Sequence, residues 1–335
     1  MKNYRHHIGG TIAGLLLSVS CAAAHAETDV SLDAGLRTDY LRWNIADPYY
    51  QPNILSELTW RNIHSQYISA RVTYKSGDFN LLGNYGYGKI TRGDNQDSDY
   101  DGNNRTMEFS RSNNNSNGDH VSDAKIGVGI DFERLKGVGF QFTPWVGLSQ
   151  HTQSLRMTNG FQTIPTYAPV YGPFPGLNST YEAQWGIGPW VGLDGVFKLN
   201  DQFIVRAALE YHVADYYAKA NWNLIPCFEH PKSYDHNASG NGKNFSLGAE
   251  YVMSTELSVT LTAIYGSWST GSGSDHIFLS PDFYTAPNPR NPGHLLCESY
   301  GATINEPNKV FDVFEPLNEV KWHTTSVLLG LKQRL

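Results

Sequence analysis

Polar and apolar residues alternate with a period of two along much of the chain, which predicts half-buried β-strands. In the clearest run, the apolar residues at odd positions from Phe203 to Val213 alternate with Arg206, Glu210 and His212. Comparable runs occupy residues 54–61, 68–74, 81–87, 125–133, 138–148, 245–251, 257–265 and 327–335. We therefore expect an all-β protein in which each strand has one apolar and one polar face.

Strand length and loop length favour a membrane barrel over a soluble sandwich. Many of the runs exceed the roughly 9–11 residues that a strand needs to cross a bilayer. Short connections lie near Gly77 and at 136–137, 200–201 and 254–255, and long polar ones at 44–52, 93–119, 159–177, 225–240 and 271–320. Alternating short and long connections are typical of periplasmic turns and extracellular loops. The prediction is a transmembrane antiparallel β-barrel of about ten strands, with its apolar face toward lipid and both termini on the periplasmic side.

The N-terminal residues are interpreted as a signal peptide. Lys2, Arg5 and two histidines precede a short apolar run, and Ala24-His25-Ala26 is typical of a signal-peptidase site. We therefore expect residues 1–26 to be removed and residues 27–335 to form one outer-membrane barrel domain. The final strand, which carries Val327, Leu329 and Leu331 on one face, is expected to be recognised by the barrel assembly machinery.

The composition bears on the binding partners, the fold and the cysteine chemistry of the chain. The formal net charge is −7 and becomes more negative without Lys2 and Arg5, which argues against binding to nucleic acid. Aromatic residues make up 13% of the chain and there are 32 glycines, in keeping with a barrel. Cys227 and Cys297 would remain in an oxidising compartment, where they either form a disulfide or stay as buried thiols. The sequence leaves that choice open.

The stretch from Gly93 to Asn104 carries the strongest chemical signal, because four carboxylates fall within eight residues. Closely spaced carboxylates repel unless water, a cation or a shared proton relieves the repulsion. Three interpretations follow: a solvated loop, a cation site, or an aspartate pair that activates water. The spacing Asp97-x-Asp99-x-Asp101-Gly102 with Glu108 matches an EF-hand calcium loop, but the flanking helices of an EF-hand are not predicted.

Several segments together resemble the omptins, a family of ten-stranded outer-membrane endopeptidases. The resemblance rests on Asp29–Leu32, Leu55–Arg61, Gly93–Asp101 and Gly330–Lys332. These segments are similar to the first omptin strand, the second strand, the segment with the paired catalytic aspartates and the C-terminal strand. It implies that Asp97 and Asp99 are the catalytic aspartate couple and that His230 is the catalytic histidine. In the family, these groups face each other across a cleft and activate a water molecule. The resemblance also implies lipopolysaccharide as a partner.

The chain departs from the family pattern at the histidine. Omptins place an aspartate two residues before it, and this chain has Phe228 there. The pairs Asp235-His236 and Asp275-His276 are expected to be solvated loop residues rather than metal ligands. Because a carboxylate normally fixes the tautomer of a catalytic histidine, the departure puts peptidase activity in doubt.

Three hypotheses therefore remain. The chain is an omptin-like barrel without efficient peptidase activity, an active endopeptidase that uses Asp97, Asp99 and His230, or a surface-binding or narrow-pore barrel with calcium at the acidic loop as an option. A ten-stranded lumen is mostly filled by side chains, so a wide diffusion pore is not expected.

Overall fold

The structure is a computed structural model that describes residues 26–49, 51–135, 140–164, 172–280, 286–287, 297 and 313–335. The expected signal peptide, except residue 26, and most of the 271–320 connection lie outside these residues. The strands are β1 (Ala26–Ile45), β2 (Ser56–Ser76), β3 (Phe79–Gly102), β4 (Thr106–Asn115), β5 (His120–Ile130), β6 (Phe132–Leu135), β7 (Phe140–Ile164), β8 (Ser179–Lys198), β9 (Phe203–Asn221), β10 (Tyr234–Val252), β11 (Leu257–Ile277) and β12 (Val313–Arg334). No helix among the described residues is long and apolar enough to cross a membrane.

The antiparallel strands close into a barrel. Consecutive strands pair with each other from β1 to β4 and from β6 to β12, and β1 pairs with β12 from Asp29↔Arg334 to Ile45↔Leu317. Strand β4 pairs with β3 and β7 at one end, β5 pairs with the same two strands at the other end, and β6 continues along β7. β4, β5 and β6 therefore share one position, and the barrel has ten positions in its circumference. The predicted all-β fold with about ten strands is confirmed.

An apolar band encircles the half of the barrel that carries the short turns. Its outward side chains are among the most exposed of the large apolar residues, as in Leu36 at 70% and Leu209 at 59%. The band, here called the lipid-facing belt, includes Leu32, Leu36, Ile68, Tyr85, Tyr87, Ile126, Leu148, Ile187, Val191, Leu209, Val213, Phe245, Leu247, Leu261, Tyr265, Val327, Leu329 and Leu331. Because outer-membrane barrels have short periplasmic turns and long extracellular loops, the strand ends beyond this belt form an extracellular arm.

The interior of the extracellular arm is filled by aromatic side chains. The largest fully buried residues in the described chain include four tryptophans and two tyrosines that we call the aromatic layer: Trp60, Trp185, Trp268, Trp322, Tyr181 and Tyr216. The ring centroid of Trp268 lies 5.3 Å from that of Trp185 and 5.3 Å from that of Trp322. A β-carbon at Gly242 would lie 2.2 Å from the Trp268 ring, so only glycine leaves room for it. The six side chains of the layer pack against one another or against neighbouring rings inside the barrel, above the membrane.

A bulge in β2 explains why part of the apolar pattern points inward. The register with β3 shifts between Arg61 and His64, and Asn62 has a positive φ of 55°. One extra residue reverses the inside–outside alternation of a strand. Leu58 and Trp60, which the simple pattern assigns to the lipid side, are therefore buried inside the barrel. The predicted lipid-facing orientation holds for the membrane half and is wrong for the extracellular half of this strand.

Candidate functional site

The acidic stretch forms part of a strand rather than a loop. β3 continues through Asp97 and Asp99 to Gly102, and these two residues pair with Leu58 and Ser56 of β2. Strand β4 covers the other edge, with Asp97 opposite Ser112 and Asp99 opposite Ser110. The predicted 93–119 loop is thus a long hairpin with its tip at Asn103–Arg105. The polar composition of this stretch predicted a loop, but the stretch is a strand. A strand that lies beyond the membrane does not contact lipid and therefore needs no apolar face.

The two aspartates share one face of β3 and point into the mouth of the barrel. Both side chains are half-buried. Burial and the neighbouring charge of Asp99 raise the pKa of the Asp97 carboxyl well above its usual range. Burial also raises the pKa of Asp99, although hydrogen bonds from Ser56 and Ser110 oppose that effect. Both carboxyls therefore keep their protons to a higher pH than a solvent-exposed aspartate does.

Further carboxylates lie along the same rim of the mouth. Glu315 on β12 lies directly opposite Asp275 on β11 in the strand register. Burial, followed by the charges of Asp275, Asp47 and Asp99, raises the pKa of Glu315 to about 8. The extracellular mouth is therefore acidic along β3, β11 and β12, and its carboxylates disfavour simultaneous ionisation.

Across the barrel from Asp97, β10 supplies a buried histidine. His236 is fully buried, its Nε2 lies 3.2 Å from Asp275 Oδ1, and its Nδ1 lies 2.9 Å from the Tyr181 hydroxyl. The Trp43 ring packs against it with centroids 4.7 Å apart. Tyr234 lies on the same strand with its ring 5.3 Å from the His236 ring, and its pKa is raised by burial and then by the charges of Asp275 and Asp97. An aspartate pair and a histidine–aspartate pair thus lie on opposite walls of the mouth.

The expectation that the two Asp-His dipeptides are solvated loop residues is wrong. They lie on adjacent antiparallel strands in register, so that Asp235 pairs with His276 and His236 pairs with Asp275. One pair, His236 and Asp275, is buried inside the barrel. Sequence reasoning missed this pairing because strand register, rather than residue spacing, brings the dipeptides together. Their identical order was the available signal, since antiparallel pairing sets each Asp opposite a His.

His230 lies in a different environment. Its side chain is exposed in the β9–β10 connection, and its Nδ1 lies 2.7 Å from Asn221 Oδ1. The structure brings Asp97 and Asp99 together, whereas the side-chain partner of His230 is this asparagine. Phe228, two residues before His230, is buried and forms a β-bridge with Leu279. The catalytic role of Asp97, Asp99 and His230 stays a prediction.

The extracellular connections are tied to one another. A disulfide joins Cys227 to Cys297, with their α-carbons 5.5 Å apart, and this resolves the choice that the sequence left open. Backbone hydrogen bonds from Glu229 N to Phe278 O and from Ser280 N to Cys227 O join the same two connections. On the other side of the mouth, Asn53 exchanges hydrogen bonds with the hairpin tip at Asn103 and Asn104. The rim of the barrel is therefore cross-linked on both sides.

The metal interpretation of the acidic stretch gains no support from the geometry. In the part of the chain that the structure describes, no group of three or more His, Cys, Asp or Glu side chains is arranged to hold a metal ion. Asp97 and Asp99 lie on a regular strand instead of curling around a common centre.

Below the aromatic layer, the lumen is polar and holds a cavity of about 840 Å³. Turn residues such as Asn200 and Thr255 line its periplasmic end, and Trp268 and Trp322 line its upper end. Asp123 is the hub of its buried network, since it accepts hydrogen bonds from Arg37 Nη1 at 2.5 Å and from the Tyr67 hydroxyl at 2.7 Å. His151 Nδ1 lies 2.7 Å from the other oxygen of Asp123. The chamber is therefore lined by charged side chains that bond to one another.

Comparisons with known proteins agree with the barrel fold. The model of the family described as Pom, Protochlamydia outer membrane protein, matches residues 31–335. The chain is similar in structure to the outer membrane protease OmpT from Escherichia coli, at a TM-score of 0.69 and 11% identity over 92% of this chain and 97% of that one. It is also matched, at a TM-score of 0.32 and 10% identity over 92% and 95%, to the outer membrane protein OprG from Pseudomonas aeruginosa. No curated protein sequence matches the chain. At these identities, the structural likeness shows the fold alone.

Proposed function

Since the chain belongs to the Protochlamydia outer membrane protein family and is an outer-membrane β-barrel, we propose that it is a closed barrel that binds partners at the cell surface. In this proposal it is neither an open diffusion pore nor an efficient peptidase. The observation that carries the proposal is the aromatic layer, whose six side chains fill the bore above the membrane. A solute that enters the charged chamber from the periplasm meets Trp268 and Trp322 at its upper end.

The tied rim supports a role in surface binding. Disordered loops lose conformational entropy when they bind, and this loss reduces their affinity. Here the disulfide, the backbone bonds between residues 227–229 and 278–280, and the Asn53 contacts hold parts of four extracellular connections together. Such a preorganised surface binds without that cost. This feature favours binding over a purely structural role.

The arrangement of the histidines argues against efficient proteolysis. A general base must lie within hydrogen-bonding reach of the water that it activates, directly or through one water. His236 is fully buried against Trp43 and Tyr234, and His230 is exposed and hydrogen-bonded to Asn221.

A second candidate function, an endopeptidase of omptin type, keeps one observation in its favour. The Asp97–Asp99 pair and the His236–Asp275 pair lie on opposite walls of the mouth, and both influence Tyr234. In this candidate, the aspartates would hold a water molecule and a histidine would take its proton. Movement of Tyr234 or Trp43 would have to open the path between the two walls.

One experiment separates the two candidates. We expect the purified barrel, refolded in detergent with lipopolysaccharide, to leave a mixed peptide library uncut over hours, as measured by mass spectrometry. The test variant carries Asp97→Ala with Asp99→Ala, and the matched control carries Asp94→Ala with Asp101→Ala on the same strand. If the wild-type protein and the control cut peptides while the test variant loses at least about a hundredfold in rate, in the range that general acid–base groups contribute, the closed-barrel proposal without peptidase is overturned.

A further inference from the structure

A groove crosses the outer wall of the barrel inside the lipid-facing belt. It spans β11, β12, β1, β2 and β3 and encloses a volume of about 700 Å³. Its floor is formed by two outward alanines, Ala34 and Ala70, which lie among larger apolar residues of the same strands and of β3 and β12. The strand registers show how its sides are built.

Two rows of outward side chains frame the groove. In the upper row, Ala34 lies between Leu329 of β12 and Ile68 of β2, and Tyr87 of β3 follows Ile68. In the lower row, Ala70 lies between Leu32 of β1 and Tyr85 of β3, and Leu331 of β12 precedes Leu32. The alanines are therefore diagonal neighbours on adjacent strands, and every other member of the rows is a large apolar or aromatic residue.

We propose that this groove is a specific seat for one acyl chain of an outer-membrane lipid. Its position inside the belt means that its occupant comes from the bilayer, since the belt on either side of it is already in contact with lipid tails. The flanking side chains are exposed and apolar, with Leu32 at 63% and Ile68 at 60%. A chain without polar groups is therefore the chemistry that this surface accepts.

The dimensions favour a chain over a second copy of the protein. Five strands at about 4.8 Å spacing make the groove roughly 19 Å long, and two rows of one face make it about 7 Å wide. That footprint of roughly 130 Å² is far below the about 800 Å² per partner of a stable protein interface. Because barrel strands are tilted by about 35–45°, a groove across them also runs obliquely through the bilayer, as a lipid tail can.

Photo-crosslinking tests this seat. The barrel is reconstituted in phosphatidylethanolamine vesicles that contain a trace of the same lipid with a diazirine at the end of one acyl chain. After irradiation, adducts are mapped by mass spectrometry. We expect at least a threefold excess of adducts on Leu32 and Tyr85 over Leu209, which lies in the belt on β9. Adducts spread evenly over the belt would overturn the proposal.

Filling the groove supplies the control. Ala34→Leu with Ala70→Leu should reduce the groove adducts to the belt average, whereas Ala207→Leu with Ala249→Leu on the opposite wall should leave the excess unchanged. If the double variant does not fold, Ala70→Leu alone should reduce the excess by at least half. An excess that survives filling, or protein–protein crosslinks through the groove in place of lipid adducts, would show that the acyl-chain assignment is wrong.

Discussion

Replacing Trp185 by alanine is expected to lower the free energy of unfolding by about 3–5 kcal/mol, as for other buried aromatic residues replaced by alanine. Trp185 is fully buried and lies between Tyr216, at 4.9 Å between ring centroids, and Trp268, at 5.3 Å. The neighbouring rings are held by strands that cannot collapse into the space, so the substitution leaves a cavity. Denaturant unfolding in detergent micelles, followed by circular dichroism, measures the change.

A matched pair on one strand controls for the loss of apolar surface. Leu155→Ala removes a side chain that is 2% exposed inside the extracellular arm, whereas Leu148→Ala removes one that is 46% exposed in the lipid-facing belt. We expect the first to cost about 2–5 kcal/mol and the second clearly less, because lipid fills the space on the outer wall. Equal costs at the two positions would contradict a packed core above the membrane.

Removing the Asp123 carboxylate is expected to lower the free energy of unfolding by about 3–5 kcal/mol. This is the usual cost of removing one partner of a buried ion pair, because the other charge is left buried and unpaired. Arg37 is 4% exposed, and among the described residues it would keep only Asp39 as an ion-pair partner, at 2.8 Å from its Nε. The Tyr67 hydroxyl would lose its acceptor, and His151 would lose the carboxylate beside its Nδ1. Asp123→Leu tests the prediction in the same unfolding assay.

A double-mutant cycle separates the ion pair from general damage. Arg37→Met with Asp123→Leu should cost at least about 1 kcal/mol less than the sum of the two single substitutions, since neither charge is then left unpaired. The exposed pair Lys219–Glu182, at 2.8 Å, is the control. Glu182→Ala should change stability by about 1 kcal/mol or less. Additive costs within the Arg37–Asp123 cycle would show that the two groups are not coupled.

The fold could be predicted from the sequence because the membrane imposes period-two alternation on every strand. The lengths of the strands could not, since the arm above the membrane needs no apolar outer face. Asp97 and Asp99 lie on such an arm, and their polar run resembles a loop. The inward side of Trp60 depends on one extra residue near Asn62, and alternation alone does not reveal a bulge.

The candidate site was less predictable than the fold. The aspartate pair was visible because its two members are two residues apart on one strand. The His236–Asp275 pair depends on the register of β10 against β11, which no spacing within either strand encodes. His230 was selected through family resemblance alone, and the structure places it in the β9–β10 connection, exposed and beside Asn221. Sequence reasoning therefore found one wall of the mouth and missed the other.

Single-channel recording in planar lipid bilayers tests the closed bore most directly. We predict that the folded wild-type barrel inserts without lasting current steps, whereas Trp268→Ala with Trp322→Ala gives discrete steps because it opens the upper end of the lumen. Circular dichroism before reconstitution verifies that both proteins are folded. Stable open channels in the wild-type protein at low voltage would contradict the account, because the aromatic layer would then not close the bore.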